Sequence, residues 1–468
     1  VPFPTITHHG AHEGVTGSCH QLHVNDTQSV LVDCGLFQGS EAAGRGNAID
    51  FDITGLAALV ITHVHLDHIG RIPWLLAKGF EGPIFCSEPS AQLLPLMLED
   101  AFRLMVTRDR AQVERYIRLV NSRIVALPYE QWRTLSTGDH TTCRVRLQRA
   151  GHVLGSAYVE FDVAQPDARR ATRVVFSGDL GSGRSALLRP ALPPERADVL
   201  VLESTYGNRS HAAPENRIAR LERLIEKALE DQGTLLIPSF SLGRAQELLA
   251  DIEAIMRRKG MDGSTRVEGV VDWPQLPVIL DSPLASRITQ AYQALQPYWN
   301  AEAQARVDGG QSPLAFPQLI TIDNHEQHQR TVNYLASTLR PAVVIAGNGM
   351  CSAGRIVNYL KAMLRNPRHN VLFSGYQAKG TPGAVIQTAE GAEGFLGIDL
   401  DGERYDIRAG VATLEGYSAH ADQSGLLAFV AGMAQPPREV RLVHGEAAAK
   451  AALAQALQAV HPGMRITT

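Results

Sequence analysis

Short apolar runs alternate with amphipathic segments along most of the chain, joined by Gly-rich connections. This pattern predicts a layered α/β protein. The run Leu56 to Ile61 reads as a buried strand, and the following IGRIPWLLAKGF segment reads as helical. A second apolar strand runs over Arg173–Phe176 and ends in Ser177-Gly178-Asp179-Leu180-Gly181. After Tyr206 the character shifts. Arg217 to Gln232 predicts a charged amphipathic helix, Gly233 to Pro238 a strand, and Ser239 to Glu247 a turn into another helix. A further strand over Pro277–Pro283 precedes a helix over Leu284–Leu295. Pro297 to Pro317 is the least regular stretch and predicts a partly helical connection. The alternation after Tyr206 is itself the pattern of a doubly wound unit.

Chemistry concentrates where the first strand gives way to its helix. His63, His65, Asp67 and His68 fall within six residues, on a strand-to-helix turn where side chains converge without breaking a ladder. Imidazole nitrogen and carboxylate oxygen suit zinc. His63 and His65 can serve one ion and Asp67 and His68 another, so the remaining ligands must arrive from later strand ends. Two places fit. His152 stands in the Gly-flanked turn Gly151 to Gly155, and Asp179 ends its strand where a carboxylate can bridge two cations.

Composition sets limits around that site. At 468 residues the chain accommodates two or three compact units, and 44% hydrophobic with 20% charged residues is ordinary for a globular protein. Apolar runs stay well short of the ~20 residues of a membrane span, and the N-terminal residues lack the basic and apolar regions of a signal peptide. Cys19, Cys34, Cys86, Cys143 and Cys351 are odd in number and scattered. They read as buried free thiols in a reducing, cytoplasmic setting. The net charge of −4 argues mildly against a nucleic-acid partner, although a narrow cleft needs only local basicity. Arg103 to Arg123 holds six arginines interleaved with Asp109 and Glu114. That helix suits either an ion-paired solvated face or a nucleic-acid contact.

Taken in order, H-x-H-x-D-H, G-H-x-x-G-S and S-G-D-x-G closely resemble the metallo-β-lactamase superfamily. Val30 to Gly35 is similar to the strand whose Asp, here Asp33, orients a ligand His from behind. Ala197 to Gly207, with Glu203, resembles the acidic motif of the β-CASP subfamily. Tyr417-Ser418-Ala419-His420 and Leu442-Val443-His444-Gly445 resemble its later His motifs, and Val344 to Met350 and Phe373-Ser374-Gly375-Tyr376-Gln377 also fit. Within the subfamily the likeness is to single-unit bacterial RNA-processing nucleases, relatives of the cleavage-and-polyadenylation endonuclease.

The resemblance implies an αββα sandwich carrying an inserted α/β (β-CASP) domain. His444 must return to ligands lying before residue 180, so the first domain is split. The expected division is 1–206 and 409–468, with the insert at 207–408. It further implies two Zn2+ per chain: His63, His65 and His152 on one, Asp67, His68 and His444 on the other, and Asp179 between them. His420, held by Glu203, would protonate the leaving group, with Asp67 and Asp179 completing the catalytic set. A His at 444 favours RNA over DNA.

The implied activity is hydrolysis of single-stranded RNA by a two-metal-activated hydroxide, endonucleolytic or 5′-exonucleolytic, giving 5′-phosphate products. No membrane is implied, and self-association into a homo-oligomer is compatible with the pattern. Tyr206, Arg244, Gly349, Arg355, Ser374 and Ser418 are the expected substrate contacts. His8, His9, His12, His20 and His23 read as lying behind the metal ligands or at the surface. The alternatives are a small-molecule hydrolase of the same superfamily, such as a thioesterase or lactonase, and a non-catalytic RNA-binding scaffold. The large insert weighs against the first and the full ligand set against the second.

Overall fold

A computed structural model describes residues 3–135, 141–166, 168–211, 215–261, 272–375, 377–394 and 396–468. Tyr376, part of one of the motifs above, lies outside them. The chain forms two compact units. The first comprises Val1–Ser210 and Ala419–Thr468, the second His211–Ser418.

The first unit is two facing sheets. Six strands, Thr5–Gly10, Cys19–His23, Ser29–Val32, Leu56–Val60, Ile84–Ser87 and Ile124–Leu127, lie side by side in that order. The seven-stranded partner runs in the order Arg465–Thr467, Glu439–Val443, Val199–Glu203, Thr172–Phe176, Ala157–Ala164, Thr142–Arg149, Arg133–Leu135. Val30, Val32, Val60 and Phe85 of one sheet pack on Val145, Phe161, Val174 and Phe176 of the other, all buried. The second sheet's other face, including Val175, Leu200, Leu202 and Leu442, is covered by Phe429 and Val430 of helix Gln423–Ala431 and Leu453 and Leu457 of helix Ala447–Val460. Helix Glu88–Met105 packs on the first sheet through Ile84–Ser87 and Ile124–Leu127. This is the expected αββα layering: each strand alternates between two apolar layers and so reads as a nearly unbroken apolar run.

The inserted unit is a six-stranded sheet in the order Leu319–Thr321, Val278–Asp281, Ala342–Ala346, Thr234–Pro238, Asn370–Phe373, Gly410–Thr413, every pair parallel. The order reverses around the first strand in sequence, as in doubly wound sheets. The predicted helices appear as Glu215–Glu230, Arg244–Met261 and Pro283–Ala294, and the irregular stretch contains helix Ala301–Asp308. One boundary moves. The first unit resumes at Ala419 rather than 409, because Gly410–Thr413 pairs with Asn370–Phe373 and so belongs to the insert. Where the first unit's chain leaves and returns, Tyr206 bridges Asp422 in parallel and Arg209 C=O accepts from the Gln423 N–H at 2.9 Å.

All five cysteines are free and buried. Among the described residues, no helix is long and apolar enough to cross a membrane.

Candidate metal centre

Strands Thr172–Phe176, Val199–Glu203 and Glu439–Val443 run parallel, so their carboxyl ends share one edge of the sheet. Asp179, Glu203 and His444 stand at or just beyond those ends. Strand Leu56–Val60 delivers His63, and His65 caps the short helix Leu66–Ile69, whose first turn holds Asp67 and His68. His152 follows strand Thr142–Arg149, and His420 precedes helix Gln423–Ala431. Two of these turns bend through the left-handed region at non-Gly residues: Asp33 has φ 60° and His444 φ 51°. Backbone strain of this kind persists where the surroundings fix a functional side chain. Gly35 has no alternative, since a Cβ there would collide with the Asp67 carbonyl.

The side chains form two triads around one carboxylate. In the first, His63 Nε2 and His152 Nε2 lie 3.1 and 3.2 Å from His65 Nδ1, and Asp179 Oδ2 is 3.5 Å from His63 Nε2 and 3.6 Å from His152 Nε2. In the second, His68 Nε2 and His444 Nε2 lie 3.2 Å apart, with Asp67 Oδ2 3.3 Å from His444 Nε2. Asp179 Oδ1 faces this triad, 3.3 Å from His68 Nε2 and 3.4 Å from His444 Nε2.

Both sets fit metal ions. Ligands about 2.0–2.1 Å from a tetrahedral zinc stand about 3.3–3.4 Å from one another, which is close to the separations in both triads. Hydrogen bonding supports the same reading. His68 Nδ1 donates to Asp33 Oδ2 at 2.7 Å, and His444 Nδ1 is 3.1 Å from Thr205 Oγ1, which itself donates to Glu203 Oε2 at 2.6 Å. With those Nδ1 protons engaged, the two Nε2 lone pairs point at each other and need a cation between them. Among the described residues, Asp179 Oδ1 is buried without a hydrogen-bond donor.

The electrostatics agree. Burial holds His63 and His152 well below the usual imidazole range and His65 at about 4, so all three present neutral, ligand-ready rings. Against burial, Asp179, Asp33 and Asp67 raise His68, and Asp179 and Asp67 raise His444 to about 9. That triad therefore calls for positive charge, which protons supply when no cation does.

His420 stands beside the cluster with one-fifth of its side chain exposed. Its Nδ1 is 3.2 Å from Glu203 Oε2 and 3.8 Å from Asp179 Oδ2. Burial lowers its proton affinity, but Glu203 and Asp179 outweigh that and raise it overall. Glu203 is fully buried, not a solvent-facing strand end. It also accepts the Leu180 N–H at 2.6 Å. The Tyr206 ring lies 6.1 Å from that of His420. Thr205 went unnoticed in the sequence, because a hydroxyl after an acidic strand end carries no ligand signal. Among the described residues, the N-terminal histidines do not enter a ligand group. His8 and His9 pair across strands with His20 and Gln21, at 2.9 and 2.8 Å.

The other expected substrate contacts lie in the inserted unit. Arg244 Nη1 donates to the Ser374 C=O, and among the described residues the buried Ser374 hydroxyl has no partner. Gly349 C=O accepts from Gln377 Nε2 at 3.0 Å, and Gly349 packs beside the half-exposed Phe240 ring. Ser418 is half-buried at the unit's last residue. Arg355, also expected as a substrate contact, has partners within the unit. Its Nη1 donates to the buried Asp281 Oδ1 at 2.6 Å and to the Ile322 C=O at 2.7 Å, so it anchors the insert internally.

Comparison with known proteins gives three family matches: the metallo-β-lactamase superfamily over residues 16–210, the Beta-Casp domain over 245–386, and the Zn-dependent metallo-hydrolase RNA specificity domain over 404–466. A ribonuclease of Thermus thermophilus is 36% identical over 452 residues, covering 95% of this chain and 93% of its own. Transcription termination factor FttA of Methanocaldococcus jannaschii is 28% identical over 445 residues, covering 93% of this chain and 66% of its own length. Its counterpart in Methanosarcina mazei is 28% identical over 462 residues, 94% of this chain and 67% of its own. The chain thus spans about two thirds of the archaeal factors.

Proposed function

Because the chain belongs to the β-CASP family of metallo-β-lactamase-superfamily hydrolases, which are metal-dependent, we propose that it is a two-zinc ribonuclease. The observation that carries this reading is Asp179, whose two oxygens each face a separate triad of ligands. His63, His65 and His152 would hold one ion, Asp67, His68 and His444 the other, with Asp179 shared. Bound there, the ions supply Lewis acidity to a phosphodiester and acidify water.

The chain's own groups do the rest. Asp33 and Thr205 fix the His68 and His444 rings so that each presents Nε2. As a hydroxide, formed from water whose proton has passed to solvent, bonded to phosphorus in line, the bond to the 3′ oxygen would break. His420 delivers its proton to that oxygen through Nε2 while Glu203 holds Nδ1 and favours the imidazolium. The downstream product then keeps a 5′-phosphate. RNA as substrate is supported by the RNA specificity domain match and by the name of the Thermus relative.

The test incubates the protein with end-labelled, 5′-monophosphorylated RNA and matched DNA, resolves products by length and end group, and measures bound metal. The expected result is about two zinc ions per chain, RNA cleaved well and DNA poorly, and 5′-phosphate ends. The ladder separates internal cutting from 5′-end trimming. Products with 2′,3′-cyclic phosphate would mean attack by the ribose hydroxyl and overturn the mechanism. Thioester hydrolysis with intact RNA would overturn the substrate class.

A further inference from the structure

Three helices of the first unit leave a groove of about 1010 Å³ that the metal centre does not use. Helix Ile72–Ala77 contributes Trp74, the end of helix Glu88–Met105 contributes Phe102 and Met105, and helix Arg110–Arg123 contributes Arg115, Tyr116 and Leu119. Phe102 and Tyr116 stack at 4.1 Å to form its floor. Of its lining, Val106 is 47% and Leu119 42% exposed. Side chains of this size left open side by side mark an interaction site more often than chance exposure.

The charge at its edge says what occupies it. The edge is basic in a chain of net charge −4. Residues 103–123 carry Arg103, Arg108, Arg110, Arg115, Arg118 and Arg123 against Asp109 and Glu114. From these we infer that the groove docks an acidic amphipathic helix of a partner protein. Its aliphatic face would pack on Trp74, Met105 and Leu119, and its carboxylates would meet the arginines. An apolar floor suits side chains rather than a phosphate backbone.

The probe is a fluorescein-labelled helical peptide of about 16 residues, with Leu or Phe at i, i+3, i+4 and i+7 and Glu elsewhere. Its controls are a version with Lys for Glu, a permuted version without the apolar stripe, and an oligouridine of similar length. Anisotropy titrations use the whole chain, Arg115→Glu and Leu119→Asp. Both substituted side chains are exposed, and circular dichroism checks their fold. We expect micromolar binding of the acidic peptide alone. Each substitution should weaken it about tenfold or more, with RNA cleavage unchanged. Equal binding of the Lys or permuted peptide overturns the inference, as does displacement of the peptide by oligouridine. So does a concentration-dependent dimer, seen by sedimentation, that Leu119→Asp abolishes, since the occupant would then be a second copy.

Discussion

Asp179 and Asp281 are both buried carboxylates at the carboxyl ends of parallel strands, and both have histidine neighbours, yet their surroundings are opposite. Around Asp281 in the insert, every contact is a closed hydrogen bond. His328 Nδ1 and the Tyr359 hydroxyl donate to Oδ2 at 2.7 and 2.6 Å, and Arg355 donates to Oδ1 at 2.6 Å. His328 Nε2 is engaged too, 2.8 Å from Asn358 Nδ2. Around Asp179 the imidazole nitrogens stand back at 3.3–3.8 Å, and among the described residues Oδ1 has no hydrogen-bond donor. A carboxylate saturated by donors builds structure; one ringed at ligand spacing by facing lone pairs builds a metal site. Histidine and aspartate near a strand end are common to both, so residue type alone does not separate them. Spacing and saturation do.

The sharpest way to break this contrast is Asp179→Asn. Asparagine keeps one oxygen but removes the negative charge the two proposed ions would share, so metal analysis should show less than the wild-type stoichiometry and single-turnover RNA cleavage should fall by more than ~10³-fold. Full metal and full activity would place Asp179 in the same structural class as Asp281. Next, His420→Ala should cut cleavage by ~10²–10⁴-fold, the usual worth of a positioned acid, while metal content holds. Loss of an ion in that variant would make His420 a ligand instead. For the saturated cluster, Asp281→Ala should cost about 3–5 kcal/mol in denaturant unfolding, because it strands the Arg355 charge and two buried donors. The metal stoichiometry should stay put, and a change in it would show that the two clusters are not independent.

The smallest expected effect concerns pH. His369 in the insert is 1% exposed and accepts the Thr234 N–H at 3.0 Å. Burial, with Arg368 beside it, lowers its pKa to about 4. A lowered folded value means the unfolded chain takes up protons first. The contribution is therefore complete above about pH 6.5 and fades as pH falls toward 4, by on the order of 1–2 kcal/mol between pH 7 and 5. His444, raised to about 9 by Asp179 and Asp67 against burial, behaves oppositely in chelator-treated protein. Its contribution is present below about pH 6.5 and is lost as pH rises through 9. Unfolding curves of metal-free protein across this range, with His369→Gln and His444→Gln, should show the two trends with opposite slopes; parallel slopes would contradict the assignment.

The layered fold and both triads were legible because each ligand follows an apolar strand at a turn, so order along the chain maps onto one sheet edge. His444 became legible only through the resemblance, since nothing local in Leu442 to Gly445 distinguishes it from a buried strand-end His. The internal partners of Arg355 were hidden for a related reason. An arginine opening a helix after glycine suits a phosphate clamp, but its acceptor, Asp281, lies 74 residues earlier. The shifted boundary near residue 409 has the same origin, because Gly410–Thr413 shows its allegiance only through pairing with Asn370–Phe373. The apolar groove was missed because its Arg-rich helix reads as a solvated face when its neighbours are unknown.

The long detour between Asp179 and His444 also sets a timetable for biosynthesis. As the chain emerges, His63, His65, His152 and Asp179 are all available early, whereas the pair Asp67 and His68 waits for its third partner until the whole insert and strand Glu439–Val443 have been made. That strand closes onto Val199–Glu203, more than two hundred residues back, a contact of high loop-closure cost. A nascent or prematurely stopped chain would thus hold at most one complete triad. On the two-metal reading, a complete site would then exist only once synthesis is nearly finished.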